Sequence, residues 1–190
     1  MNQTIEFTDR LKAATQQEHQ TIEQAHWMKQ LMHPSLTKEE YTGILKKWYP
    51  VIAAFEKQLY RQQDELATIF PDWESRLKLA MLQKDISMLN ETVPETDEST
   101  PSAINELVGA FYVLEGSSLG GRVILKQLAT LDWFDASFGN FFAGYGAQTG
   151  SQWVKFRDYL IGYVAGAEEN AGEIIAAAQH KFVELYQHFN

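Results

Sequence analysis

Only five prolines punctuate the chain, Pro34, Pro50, Pro71, Pro94 and Pro101, and the long stretches between them carry apolar residues at helical spacing. Residues 3–29 read as a first helix, with Leu11, Ala14, Thr15, Glu18, Ile22 and Ala25 along one stripe. His33-Pro34-Ser35 ends it. Thr37 followed by Glu40 forms a capping-box pattern, in which each side chain satisfies the other residue's backbone amide. That opens a helix over 38–60 with Tyr41, Ile44, Leu45, Trp48 and Ile52 inward, and Pro50 predicts a kink in it. A helix over 73–89 follows Phe70-Pro71-Asp72, and the polar, acidic residues 90–101 read as an exposed connection. The next helix, 102–129, has Leu107, Phe111, Leu114, Leu119, Val123 and Leu128 as apolar members. Gly139, Gly144 and Gly146 among aromatics predict a packed loop over 132–147, and two last helices cover 149–165 and 168–189. No strand alternation or internal repeat interrupts this pattern. The expected class is all-α, a multi-helix bundle in a single domain over 1–190.

Composition narrows the chemistry. The chain has no cysteine, which excludes disulfides, thiolate ligands, Fe–S clusters and cysteine nucleophiles. A formal net charge of −9 disfavours nucleic acid and anionic lipid, which need clustered cations. No run approaches the roughly 20 apolar residues of a membrane span. The polar N-terminus carries no signal-peptide pattern, so the expected location is cytoplasmic.

Two segments break local rules. Gly109, Gly116, Gly120 and Gly121 fall inside a helical pattern, each costing about 0.8–1 kcal/mol relative to alanine. Such a cost implies close backbone approach: either helix packing through Gly116-x-x-x-Gly120, or a flat ligand against bare backbone. The second segment holds His19. On one helix, Lys12 and His19 would differ by only about 20° around the axis and about 10 Å along it. Glu23, at i+4, can accept from the second imidazole nitrogen and fix the tautomer of a metal-bound His19. A surface histidine with an i+4 glutamate is the plain alternative. His26, His33, His180 and His188 are weaker candidates.

Taken together, Leu11-Lys12-x-x-Thr15-x-x-x-His19-x-x-x-Glu23 and the run from Tyr112 through Glu115-Gly116-Ser117-Ser118-Leu119-Gly120-Gly121 to Ile124 resemble the haem oxygenase family. The stretch Phe141–Trp153 is similar to its bacterial members in particular. The resemblance implies His19 as proximal iron ligand, with Glu23 as its partner, and Lys12 and Tyr112 at the haem propionates. It implies Gly116, Ser117, Gly120 and Gly121 as the distal helix over the iron. Mammalian-type members carry an aspartate where Ser117 stands; bacterial relatives also lack it. Cations near Lys155 and Arg157 would steer the propionates. The implied activity is oxidative opening of haem b, both substrate and cofactor, to biliverdin, carbon monoxide and iron. It would use O2 and electrons from an external reductase or ferredoxin.

Other readings are weighed on the residues alone. Thiaminase-type helical proteins resemble this architecture but use a cysteine nucleophile, which this chain lacks, so they are set aside. A di-iron carboxylate oxidase needs two Glu-x-x-His elements on facing helices; Glu23-Gln-Ala-His26 is one, and the sequence offers no second. A non-enzymatic haem carrier or sensor would share His19, and a purely structural helical module needs no ligand at all.

Overall fold

The computed structural model describes residues 2–96 and 101–190, with side chains from Phe7 onward. Among the described residues the regular structure is helical and contains no strand. The expected first helix is three: α1 (Asn2–Ala14), α2 (Gln16–Glu23) and α3 (His26–Leu31). The first break lies at Thr15, whose hydroxyl and amide both donate to the Leu11 carbonyl, at 2.9 and 3.1 Å. Back-bonding of this kind bends a helix. The second lies at Ala25, which is extended (φ −61°, ψ 151°) and buried. The expected stripe survives the breaks: Leu11, Thr15 and Ala25 are buried, and Ala14, Glu18 and Ile22 are half-buried.

The capping box forms as read. Glu40 N–H donates to Thr37 Oγ1 (3.1 Å), Thr37 N–H donates to Glu40 Oε2 (2.8 Å), and α4 (Lys38–Arg61) follows. All five expected inward residues of α4 are buried, and the helix runs through Pro50 without interruption. A short α5 (Gln63–Ile69) was not legible beforehand. The expected helix over 73–89 is a 3-10 turn, Trp73–Arg76, followed by α6 (Leu79–Met88). Leu77 is extended between them, and the buried Glu56 carboxylate accepts from Lys78 N–H and Leu79 N–H (2.5 and 2.7 Å), satisfying the amides that open α6.

Residues 91–96 of the expected connection are non-helical; residues 97–100 of it lie outside the described residues. Beyond them come α7 (Ile104–Leu128), α8 (Asn140–Ala143), α9 (Thr149–Gly166) and α10 (Asn170–Phe189). The expected loop over 132–147 holds α8 and 3-10 turns at Ala136–Phe138 and Gly146–Gln148. The fully buried Asp85 of α6 accepts from Asn140 N–H (3.0 Å) and Phe141 N–H (2.7 Å), while Tyr41 Oη donates to Phe138 O (3.0 Å). These bonds fasten the loop to α4 and α6.

One connected set of buried side chains runs from Phe7 to Phe189. α10 lies along α7, and an added Cβ on Gly109 would fall 2.6 Å from Ile174 O and Ala177 Cβ. No helix among the described residues is long and apolar enough to cross a membrane.

Candidate functional site

α7 changes character at Gly116. Every residue from Phe111 to Glu115 is buried. Beyond it only Gly121, Ile124 and Leu128 are buried, while Leu119 is 43% exposed and Val123 60%. Positions 116, 119, 120 and 123 share one helix face. Leu119 and Val123 are among the apolar members read for this helix, but the inward side at this end belongs to Gly121, Ile124 and Leu128, which fall on another face. The result is an uncovered apolar strip whose centre is bare backbone.

The glycines therefore divide. A Cβ on Gly121 would sit 2.1 Å from Phe142 O, so this glycine admits α8. Helix packing accounts for the missing side chain at Gly109 and at Gly121. A Cβ on Gly120 would meet nothing within 4 Å, and one on Gly116 would only touch the Trp153 ring at 3.4 Å. Gly116-x-x-x-Gly120 is no helix-packing seam.

α2 buries none of its residues. The His19 side chain is 59% exposed; its Nδ1 faces Glu23 Oε1 at 3.6 Å, and its ring meets Phe182 of α10 edge-on. Among the described residues nothing hydrogen-bonds its Nε2. α10 thus backs both walls, α2 through Phe182 and α7 through Ala177. Glu23 closes α2 and His26 opens α3, so the break at Ala25 divides the one Glu-x-x-His element. No group of three or more His, Asp or Glu among the described residues is arranged to hold a metal.

A polar cluster lies where α1, α7 and α9 meet. Burial raises the Tyr112 phenol above its ordinary range, opposed by Thr15 and Arg157 beside it. The Tyr112 ring packs against Trp153 at 5.5 Å, and Arg157 Nη2 donates to Thr8 Oγ1 at 2.8 Å. Lys12 is exposed on α1, one turn from both Thr8 and Thr15. Of the two cations expected near the site, Arg157 joins this cluster. Lys155 is instead paired with Asp72 (2.9 Å) and lies over the Tyr159 ring.

The side of α7 turned away from the bare strip carries buried charge that the sequence did not announce. Glu115, 2% exposed, accepts from Arg76 Nη1 (2.6 Å) and from Tyr145 Oη (2.8 and 2.9 Å). Arg76 also grips Asp72 with two bonds of 2.9 Å. Lys78 Nζ donates to Leu114 O (2.8 Å) and Ser118 Oγ (2.6 Å) and stands 3.5 Å from Glu115. Burial pulls the Lys78 ammonium pKa down, and Glu115 opposes that. Ser117, on the exposed side, donates its hydroxyl to Leu114 O at 2.7 Å.

Known proteins share this sequence and fold. The chain is 31% identical to a haem oxygenase of Xanthomonas campestris pv. campestris over 102 residues, 53% of this chain and 60% of that protein. It is 30% identical to the haem oxygenase PigA of Pseudomonas aeruginosa over 135 residues, 70% of this chain and 65% of that one. The matched stretches thus span less than two thirds of either relative's length. The fold matches the NO- and CO-bound haem oxygenase of Neisseria meningitidis with a TM-score of 0.79 and 25% identity, covering 95% of this chain and 88% of that one. A family model described as "Heme oxygenase" matches residues 5–190. The chain belongs to the haem oxygenase family.

Proposed function

We propose that this chain, as one domain, opens haem b oxidatively to biliverdin, carbon monoxide and iron, using O2 and electrons from an external reductase or ferredoxin. One observation carries the reading: α10 packs both on an unburied helix bearing an imidazole and on α7, the helix that carries a glycine-bare, apolar strip. A flat macrocycle fits such walls, because Gly120 offers no side chain and an added Cβ there would meet nothing within 4 Å. Haem, when bound, supplies the redox iron and the ring that is consumed.

The chain's residues do the rest. His19 would hold the iron, and Glu23, whose Oε1 stands 3.6 Å from Nδ1, would accept from Nδ1–H after a small closing movement, fixing the tautomer and raising ligand basicity. Lys12 and Tyr112, with Arg157 beside Tyr112, take the propionate carboxylates. Gly116 and Gly120 leave the distal side without a competing ligand, while Leu119 and Val123 exclude water from the ring's edge. Ser117 commits its proton to Leu114 O, so its oxygen is left to accept from a distal water. No carboxylate stands at that position, so ordered water has to deliver protons there.

The test is titration with haemin, then reductase-driven turnover, comparing the parent with His19→Ala. The parent is expected to give a 1:1 Soret complex that decays into a bilin band; the variant loses both the six-coordinate ferric spectrum and most of the decay. Binding without decay would make the chain a haem carrier or sensor. No 1:1 complex would end the haem reading altogether.

A further inference from the structure

The buried cation under the bare strip has a geometry that packing alone does not require. A methionine would fill the space of Lys78 without the several kcal/mol that desolvating an ammonium costs. The ammonium contributes two bonds to α7, to Leu114 O at 2.8 Å and to Ser118 Oγ at 2.6 Å. These acceptors are four residues apart, so the bonds span one turn of helix, and Gly116 lies at its middle. That turn needs outside support. Gly116 costs about 1 kcal/mol in helix stability, and a Cβ added there would meet only the Trp153 ring within 4 Å. Glu115, within the same turn, is held in turn by Arg76 and Tyr145.

We propose that Lys78 is a positioning residue, a strap that clamps the α7 turn from Leu114 to Ser118 and so sets where the bare backbone of Gly116 and Gly120 stands relative to a bound macrocycle. The consequence for turnover rests on the haem-degrading function proposed above; the strap itself does not. Lys78 reaches α7 from the face opposite the ligand and touches no substrate. Without the strap the turn would sample several positions, the distal wall would lose its fixed height, and attack would spread over more than one ring position.

The experiment is hydrogen–deuterium exchange on the ligand-free chain, read at peptides covering 114–121 and, as an internal control, 174–185 of α10. Lys78→Met is expected to raise exchange at 114–121 by about tenfold or more and leave α10 within about twofold. Ser118→Ala, which removes one end of the strap and leaves the ammonium its other partners, is expected to raise it by a few-fold. Lys78→Arg, able to donate to both acceptors, should restore most of the protection. Haemin-loaded samples add a second readout: Lys78→Met still forms the Soret complex, but yields mixed biliverdin isomers where the parent yields one predominant isomer. Unchanged exchange at 114–121 in both Lys78→Met and Ser118→Ala overturns the strap, as does an equal rise in α10. If Lys78→Met does not fold, Ser118→Ala and Lys78→Arg decide the matter. If the parent itself gives no haemin complex, the proposed function falls, and the exchange data still judge the strap.

Discussion

The edge of the His19 imidazole rests on the ring of Phe182, with centroids 5.8 Å apart and planes at 81°. The histidine is exposed and the phenylalanine buried, so the core reaches the candidate ligand through this one contact. An edge-to-face pair contributes about 0.5–1.5 kcal/mol, or roughly 2- to 12-fold in an equilibrium constant. Phe182→Leu keeps the core filled but frees the imidazole. Haemin affinity is expected to fall within that range, measured by Soret titration. An unchanged affinity would mean that α2 orients His19 unaided.

Glu23 is expected to act on the ligand rather than on the fold. Its carboxylate is 61% exposed and stands 3.6 Å from His19 Nδ1, just beyond hydrogen-bonding range. Glu23→Gln should leave the melting temperature within about 1 °C, since exposed substitutions rarely exceed about 0.5 kcal/mol. It should weaken iron ligation by a few-fold, because the amide oxygen still accepts from Nδ1–H but without the carboxylate's charge. Resonance Raman of the iron–histidine stretch in the ferrous complex reads this directly. A frequency identical to the parent's would remove Glu23 from the ligand's electronics.

Neighbouring glycines should respond in opposite directions. Gly120→Ala adds a methyl where nothing lies within 4 Å and gains up to about 1 kcal/mol of helix propensity. Gly121→Ala pushes a methyl to 2.1 Å from the Phe142 carbonyl oxygen and should cost about 1–3 kcal/mol. Melting curves should move up for the first and down for the second. Gly120→Leu should fold as well as the parent yet lose most ring opening, because its side chain occupies the distal space. Full activity in Gly120→Leu would show that the ligand lies elsewhere.

The acid limb of stability should depend on Asp72. Partial burial pushes its carboxyl up, but hydrogen bonds and charge from Arg76 and Lys155 outweigh that and hold it below the ordinary carboxylate range. A depressed folded-state pKa stabilises fully above the unfolded value, about 3.9, and that contribution is lost as the pH falls through the folded value. Asp72→Asn should therefore be less stable at neutral pH and flatter in acid than the parent. Urea midpoints taken from pH 6 down to pH 2 check this; parallel curves would show that the pair is energetically silent.

Much of this architecture was legible because it is local. Thr37 and Glu40 announce a helix start by sequence spacing, and the five inward residues of α4 follow from its period. The break at Thr15 was not legible: whether a threonine hydroxyl turns back to the carbonyl four residues earlier is a rotamer choice made by the tertiary surroundings. The glycine run was visible but ambiguous. Gly109 and Gly121 answer to neighbouring helices and Gly120 to open space, and that division depends on partners remote in sequence. The charges at Arg76, Lys78 and Glu115 read as solvated when taken singly. Leu119 and Val123 were legible as apolar members of the helix but not as exposed ones. Their exposure marks the strip where the fold leaves a wall unfinished.

The absence of any buried residue in α2 has an evolutionary consequence. Stability, which limits most sequence change, rests mainly on other helices; within α2 Ile22 packs against the core, and the exposed positions can drift at little cost to folding. A lineage could shift the ligand by one helical turn, change its basicity or exchange it for another side chain, and each intermediate would still fold. The exposed face of α2 is the part of this protein most open to re-invention, and α7, tied down from beneath by buried charge, the part least so.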